Sequence, residues 1–340
     1  MIPATAAVAH EDADADWRRL WREAVIDGRE LLHLLELDHL ADRLPPHDAG
    51  FALRVPRGFV ARMRRGDATD PLLLQVLPQL AETEVHPGFS LDAVGDMSAR
   101  GARGVLHKYA GRALLIASGA CAVNCRYCFR RHFPYGEQMA AAGHWREALD
   151  YLRDDAGISE LILSGGDPLS LSTAKLAELS AGLARIPHVR RLRIHSRLPV
   201  VLPERIDAGF VDWLASLPQR KVVVIHANHA NELDAAVMAA CTRLREAGVM
   251  LFNQSVLLRG INDNVDALAN LSERLFECGV VPYYLHQLDR VQGATHFEVT
   301  DEQALALMGA LRARLPGYLV PQLVREVAGA DSKLPVTVIA

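Results

Sequence analysis

The chain contains no apolar run near the roughly 18–20 residues needed to cross a bilayer. A strand-like stretch such as Lys221–Ala227 is short and interrupted by polar groups. Basic excess is also absent: 37 Lys+Arg stand against 41 Asp+Glu, a net charge of −4. A nucleic-acid partner is therefore not expected, because such sites need clustered cations, and the triplet Arg190, Arg191, Arg193 reads as a solvated face. The first residues carry acids where a secretory signal would carry a positive and then an apolar stretch. The expectation is a cytoplasmic protein with no membrane association. Cysteine is scarce, five in 340 residues, and the odd number argues against a disulfide framework. What remains is 50% hydrophobic and 23% charged, too apolar for a disordered chain and too mixed for a membrane protein.

Residues 15–42 place leucines among charges and read as one or two amphipathic helices. Residues 1–105 as a whole form a mainly helical N-terminal region in this reading. From Arg112 a unit recurs in which a β-rich run is followed by polar residues and then a helical stretch. Strands are expected at Ala113–Ala117, Glu160–Ser164, Leu192–His195, Val222–His226, Met250–Val256 and Val280–Leu285. Helices are expected at Thr173–Arg185, Asn231–Ala247 and Val265–Cys278. Such alternation predicts right-handed βαβ crossovers and a parallel sheet. The fold class is then α/β, a partial six-unit (β/α) barrel over 106–290. Residues 291–340 follow as a short C-terminal segment. Polar or Gly-rich text follows each strand, where barrel enzymes assemble their sites, so an enzyme is expected.

Three cysteines, Cys121, Cys125 and Cys128, have C-x3-C-x2-C spacing. Chance gives this cluster about once in a thousand chains of such composition. A structural zinc site would need a fourth ligand, for which His132 is the candidate. An iron–sulfur cluster fits three thiolates better, since one iron is left without a protein ligand for chemistry. Cys241 and Cys278 fall inside helical runs and read as small core hydrophobes.

This cluster after a first barrel strand, with Gly165-Gly166-Asp167-Pro168 after the second, resembles the radical S-adenosylmethionine superfamily. By itself the Gly-Gly-Asp-Pro stretch would be a tight turn. The resemblance implies a [4Fe-4S] cluster whose open iron chelates S-adenosyl-L-methionine and generates a 5′-deoxyadenosyl radical. Gly165, Gly166 and Asp167 match the turn that orients the amino group of that molecule, with Asp in place of Glu. Within the superfamily the chain is similar to the lysine 2,3-aminomutase family from about Phe51 to Thr337. The shared text includes Tyr109-Ala-Gly-Arg112, Cys-Arg-Tyr-Cys-Phe-Arg-Arg, His226-Ala-Asn-His-Ala-Asn-Glu232, the run from Gln254 to Asp263, and Pro282-Tyr-Tyr.

The resemblance further implies pyridoxal 5′-phosphate, held as a Schiff base by Lys333, with Tyr109 and Arg112 contacting its ring or phosphate. Lys333 alone would read as a solvated charge; its small, turn-forming surround of Gly329, Ser332 and Pro335, after a β-like run at Tyr318–Val324, suits an amine meeting an aldehyde. Arg130 matches the arginine that pairs with the amino-acid carboxylate, with Arg131 as its competitor. Asp289 and Glu326 match two carboxylates for the distant ammonium of lysine, Glu326 replacing an aspartate; without the resemblance Asp289 could be a loop acid beside Arg290. Ser196, His226 and Gln254 fall at strand ends matched to S-adenosylmethionine contacts, although a lone His226 could be a core histidine. The implied activity is isomerisation of L-lysine to β-lysine. Reduction would come from a flavodoxin- or ferredoxin-type donor, and a homo-oligomer is expected. With seven residues after Lys333, this shorter form resembles the bacterial branch that supplies (R)-β-lysine for elongation factor P, through a separate lysyl ligase. A mutase of another branch, making β-lysine for metabolism or acting on another amino acid, a radical enzyme without pyridoxal phosphate, and a non-enzymatic zinc module are the alternatives.

Overall fold

The computed structural model describes residues 16–46, 51–143 and 145–337. Ten strands form one sheet in sequential order: β1 (Arg100–Ala102), β2 (Val105–Tyr109), β3 (Arg112–Ser118), β4 (Glu160–Gly165), β5 (Arg191–Ser196), β6 (Arg220–Ile225), β7 (Met250–Val256), β8 (Val281–His286), β9 (Gln322–Arg325) and β10 (Leu334–Pro335). From β3 to β9 every neighbouring pair is parallel, while β1–β2–β3 and β9–β10 are antiparallel. The six expected strands are present, shifted by a residue or two at their ends. A further parallel strand, β9, comes from the run Tyr318–Val324, whose first residues instead form a 3-10 turn, Gly317–Leu319, after Pro316.

The crossovers carry helices with side-chain N-caps. Ser172, Asp207, Asp234, Asn264 and Thr300 each accept a hydrogen bond from the backbone N–H three residues on. These caps satisfy donors that the first helical turn leaves free and fix where each helix leaves its strand. The helix Asp301–Arg314, which leads into β9, had no counterpart in the sequence reading. In the N-terminal region the expected helices are interrupted. Helical segments at 16–22 and Gly28–Leu34 flank a β-bridge between Val25 and Val55, and the region ends in β1 rather than in a helix.

Strand alternation explains where the cavity lies. On β5, Leu192, Ile194 and Ser196 are buried, whereas Arg193 and His195 are half-buried and line an interior cavity. On β7, Phe252, Gln254 and Val256 likewise line the cavity, while Leu251, Asn253 and Ser255 are buried. Successive side chains on a strand point to opposite faces. One face of the sheet therefore packs on the helices and the other lines an open lumen of about 570 Å³. That volume is within the usual range for small-molecule and cofactor sites.

Candidate active site

The cysteine loop leaves β3 and is pinned by the N-terminal region. Asn124 donates its backbone N–H to Arg54 O at 3.0 Å and its side-chain amide to Ala52 O at 3.0 Å. Arg126, between two of the cysteines, is buried, ion-paired with Glu82, and donates to Phe51 O at 2.8 Å. Cys121, Cys125 and Cys128 are free thiols that share the cavity wall. Arg197 Nη1 donates to Cys125 Sγ at 2.7 Å. Burial pushes the Cys121 thiol up, and the Cys128 thiol to about 11. Such groups become thiolates against a bound cation. Among the described residues no three His, Cys, Asp or Glu side chains converge to hold a single metal ion. The ring of His132 instead lies 3.2 Å from Gln292 O. Three thiols around a shared space fit a polynuclear iron–sulfur cluster with one open iron. Cys241 and Cys278 are buried, the former pushed to about 12 by its burial, as expected of core thiols.

The glycine pair explains how β4 approaches this loop. Gly165 has φ +121°, and a Cβ there would lie 2.4 Å from Ser118 O; at Gly166 it would lie 2.8 Å from Ala120 O. Only glycine allows that contact. Two hydrogen bonds then join the turn to the loop, Gly166 N–H to Ser118 O at 2.7 Å and Asp167 N–H to Ala120 O at 2.9 Å. The buried Asp167 carboxylate accepts from Ser196 Oγ at 2.8 and 3.0 Å and from the backbone N–H groups of Leu169, Arg197 and Leu198. Burial raises it to about 6 despite those donors. Asp167 and Ser196, two of the residues matched to S-adenosylmethionine, thus bind each other and tie the second parallel strand end to the third.

His226 and Gln254 also line the lumen. His226 Nε2 is 2.9 Å from the Tyr127 hydroxyl, with the two rings stacked. Burial, then the charge of Arg197, depress its pKa and keep the ring neutral. Gln254 Nε2 lies 3.5 Å from His195 Nδ1.

The polar wall near the C-terminal segment is a chain of alternating charges. Arg130 Nε binds Asp96 Oδ2 at 2.6 Å, and Lys108 Nζ lies 2.7 Å from Asp96 Oδ1. The same Lys108 Nζ lies 2.9 Å from Glu326 Oε1, and Lys333 Nζ lies 2.5 Å from Glu326 Oε2. Burial opposes ionisation of Glu326, but Lys333 and Lys108 outweigh it and hold the carboxyl at about 2. Arg130 also donates to Ser164 Oγ at 3.1 Å and faces the lumen. Arg131 points away, bonded to Arg126 O, Gly293 O and Glu82, so of these two adjacent arginines Arg130 alone lines the lumen.

Asp289 lines the same lumen, and among the described residues its carboxylate has no hydrogen-bonding or ion-pairing partner. Burial and then the charge of Glu326 raise it to about 7. Arg112 stacks its guanidinium 4.6 Å from the ring centroid of Tyr109, whose hydroxyl is pushed up by burial and by Glu326. Two histidines complete the wall. The Nε2 atoms of His195 and His286 are buried with no hydrogen-bond partner, and burial holds His286 at about 3. Unpaired buried polar atoms facing a cavity suit a polar ligand. An amine, stacked Arg–Tyr, and unpaired imidazoles in one lumen fit pyridoxal phosphate.

Sequence reasoning did not single out Asp96, Lys108, Arg197, His195 or His286 as site residues. For the two histidines the signal was available, since His195 is the penultimate residue of β5 and His286 the last of β8, and the preceding inward residues of both strands line the lumen. Asp96 and Lys108 carry no motif; only the fold brings them to Arg130 and Glu326.

Comparison with known proteins follows the same lines. Residues 115–271 match the model of the Radical SAM superfamily. The chain is 49% identical to the L-lysine 2,3-aminomutase of Escherichia coli (strain K12), over 94% of this chain and 94% of that one. It is 44% identical to the L-lysine 2,3-aminomutase of Haemophilus influenzae, over 94% of this chain and 95% of that protein. The Clostridium subterminale enzyme of the same name is 32% identical, with 95% of this chain and 79% of that one covered. With its three cysteines, glycine turn and Lys333 in one lumen, the chain belongs to the radical SAM lysine 2,3-aminomutase family.

Proposed function

We propose that the protein moves the amino group of L-α-lysine from Cα to Cβ, releasing (R)-β-lysine. The observation that carries this reading is the shared lumen, in which Arg130, Asp289, Glu326 and Lys333 stand around the same space as the three cysteines. A substrate with one carboxylate and a distant ammonium finds a partner for each end. A pocket for glutamate or alanine would not place two carboxylates there.

Cys121, Cys125 and Cys128 would hold the [4Fe-4S] cluster; Gly165, Gly166, Asp167, Ser196, His226 and Gln254 would surround S-adenosyl-L-methionine; Lys333, Tyr109 and Arg112 would hold pyridoxal 5′-phosphate. When bound, these groups supply a radical that abstracts hydrogen and a ring that spreads unpaired electron density. The protein supplies position. Asp96 and Ser164 fix the Arg130 guanidinium so that its remaining edge can take the substrate carboxylate as a planar fork. Arg112 offers the same fork to a phosphate. Asp289 is an acceptor awaiting a cation, and an incoming ammonium favours its ionised form. His195 and His226 are kept neutral by burial, so neither adds a positive charge to repel the substrate ammonium. Burial of these groups excludes water and oxygen from a radical reaction.

Among the described residues no helix is long and apolar enough to cross a membrane. A cytoplasmic enzyme reduced by a flavodoxin- or ferredoxin-type donor, working as a homo-oligomer, agrees with this reading. The resemblance to the branch serving elongation factor P makes a lysyl ligase the consumer of the product. The test is chiral chromatography after anaerobic incubation of reconstituted protein with S-adenosylmethionine, pyridoxal phosphate, a reductant and L-lysine. (R)-β-lysine is expected. Cleavage of S-adenosylmethionine without β-lysine would remove the substrate assignment, and (S)-β-lysine would remove the elongation-factor link.

A further inference from the structure

The sheet is open: its order runs from β1 to β10 without pairing of the ends. Lys108 lies on β2, near one end, and Glu326 directly follows β9, near the other. Their contact therefore crosses the gap in the barrel, and it is made inside the lumen rather than on the surface, both side chains being largely buried. Lys108 Nζ has three partners, Val94 O at 2.8 Å, Asp96 Oδ1 at 2.7 Å and Glu326 Oε1 at 2.9 Å. Two of these are hydrogen bonds, to Val94 O and Glu326 Oε1, and the third is an ion pair with Asp96, so the place of the ammonium is set from three directions.

The two carboxylates that Lys108 bridges each face the amino-acid site. Asp96 orients Arg130 through its other oxygen, and Glu326 holds Lys333 through its other oxygen. We propose that Lys108 is a positioning residue of the amino-acid site: by bridging Asp96 and Glu326 it sets the separation between the carboxylate-binding and ammonium-binding ends, and by sharing Glu326 with Lys333 it keeps the Lys333 amine available for the cofactor and Glu326 available for the substrate. This rests on the lysine reading given above.

The electrostatic logic is direct. Lys333 reacts with an aldehyde only as the neutral amine. It faces Glu326, Asp289, His195 and His286. Lys108 faces Asp96, Glu326 and Asp289. With Lys108 present, Glu326 divides its charge between two cations. Without it, Glu326 pairs with Lys333 alone, and nothing fixes the carboxylate between the two ends of the site. When Lys333 is covalently occupied it carries no ammonium to pair with Glu326. The substrate ammonium can then take that position, while Lys108 still holds the carboxylate in place.

The test compares Lys108→Met, Lys108→Gln and Lys108→Arg with the wild type in two measurements. The first is the pyridoxal phosphate concentration at which half of Lys333 is covalently attached, read at fixed pH by visible absorbance and by borohydride trapping, with no lysine or S-adenosylmethionine present. Removing the charge is expected to raise that midpoint concentration about tenfold, and Lys108→Arg to leave it near the wild-type value. The second is steady-state turnover of L-lysine. Lys108→Met is expected to raise KM about tenfold or more while kcat changes about threefold or less, the pattern of lost binding at the substrate ends. Should Lys108→Met fail to fold, Lys108→Gln carries the same expectation. Unchanged midpoint and KM in a variant lacking the charge, with the wild type making β-lysine, would overturn the proposal alone. A shifted midpoint with no β-lysine from the wild type would instead overturn the lysine reading.

Discussion

The carboxylate of Glu326 stands 2.5 Å from the amine of Lys333, seven residues later in the chain. Where the family pattern has an aspartate, this chain has a side chain one methylene longer, and it reaches Lys333 and Lys108 at once. The acid assigned to the substrate ammonium is thus already engaged by the protein's own ammonium groups.

Replacing Lys333 with Ala removes the amine that would hold pyridoxal phosphate. β-Lysine formation should fall about a thousandfold or more, while iron and acid-labile sulfide content stay at wild-type levels. Full activity in this variant would remove the role of Lys333; loss of iron would show that the C-terminal segment supports the cluster instead.

Shortening Glu326 to Asp withdraws the carboxylate by one methylene. Reach to Lys333 and Lys108 together should weaken, and KM for lysine should rise about three- to tenfold, since an ion pair of this kind is sensitive to geometry. The stereochemistry of the product, followed on a chiral column, is expected to remain R. A switch to S would show that the longer side chain sets the hand of the product.

Asp289 is raised to about 7 by burial and by Glu326. A carboxyl raised in this way is protonated below that pH and ionised above it, and only the ionised form pairs with an ammonium. The kcat/KM for lysine should therefore rise as pH increases through about 7, the value held by the free enzyme. In Asp289→Asn that inflection should disappear and kcat/KM should be low throughout. An unchanged profile in the variant would assign the inflection to another group.

Gly165 has φ +121°, and a Cβ there would stand 2.4 Å from Ser118 O. Gly165→Ala forces the β4 end away from the cysteine loop, at a cost of about 2 kcal/mol or more. Lower thermal stability and reduced cluster occupancy after reconstitution should appear together. A variant with normal melting temperature and iron content would show that the close approach is dispensable.

Much of this was legible in the chain. The six strands could be read because buried parallel strands are near-continuous apolar runs separated by helical stretches, and the cysteine spacing pointed to the cluster before any fold was known. The choice of Arg130 over Arg131 followed from position after the last cysteine, and only Arg130 faces the lumen. Other features were hidden for physical reasons. Asp96 lies on an irregular loop and Lys108 on a short antiparallel strand, and neither has a neighbour in sequence that reveals its partner. Asp167 and Ser196 read as cofactor contacts, yet each satisfies the other, a relationship between strand ends that spacing along the chain cannot show. β9 was short and followed a 3-10 turn, so its β-like text gave a run without its place in the sheet.

In the proposed reaction one lumen brings an amino acid held at Arg130, Asp289 and Lys333 within reach of a radical generated at the three cysteines. The most direct measurement uses L-lysine deuterated at Cβ, incubated anaerobically with the reconstituted enzyme, with mass analysis of the 5′-deoxyadenosine and of the β-lysine formed. Deuterium is expected in 5′-deoxyadenosine and, after its return, in the product, both lost in Lys333→Ala. Cleavage of S-adenosylmethionine by the wild type with no deuterium in 5′-deoxyadenosine would contradict the proposed reaction.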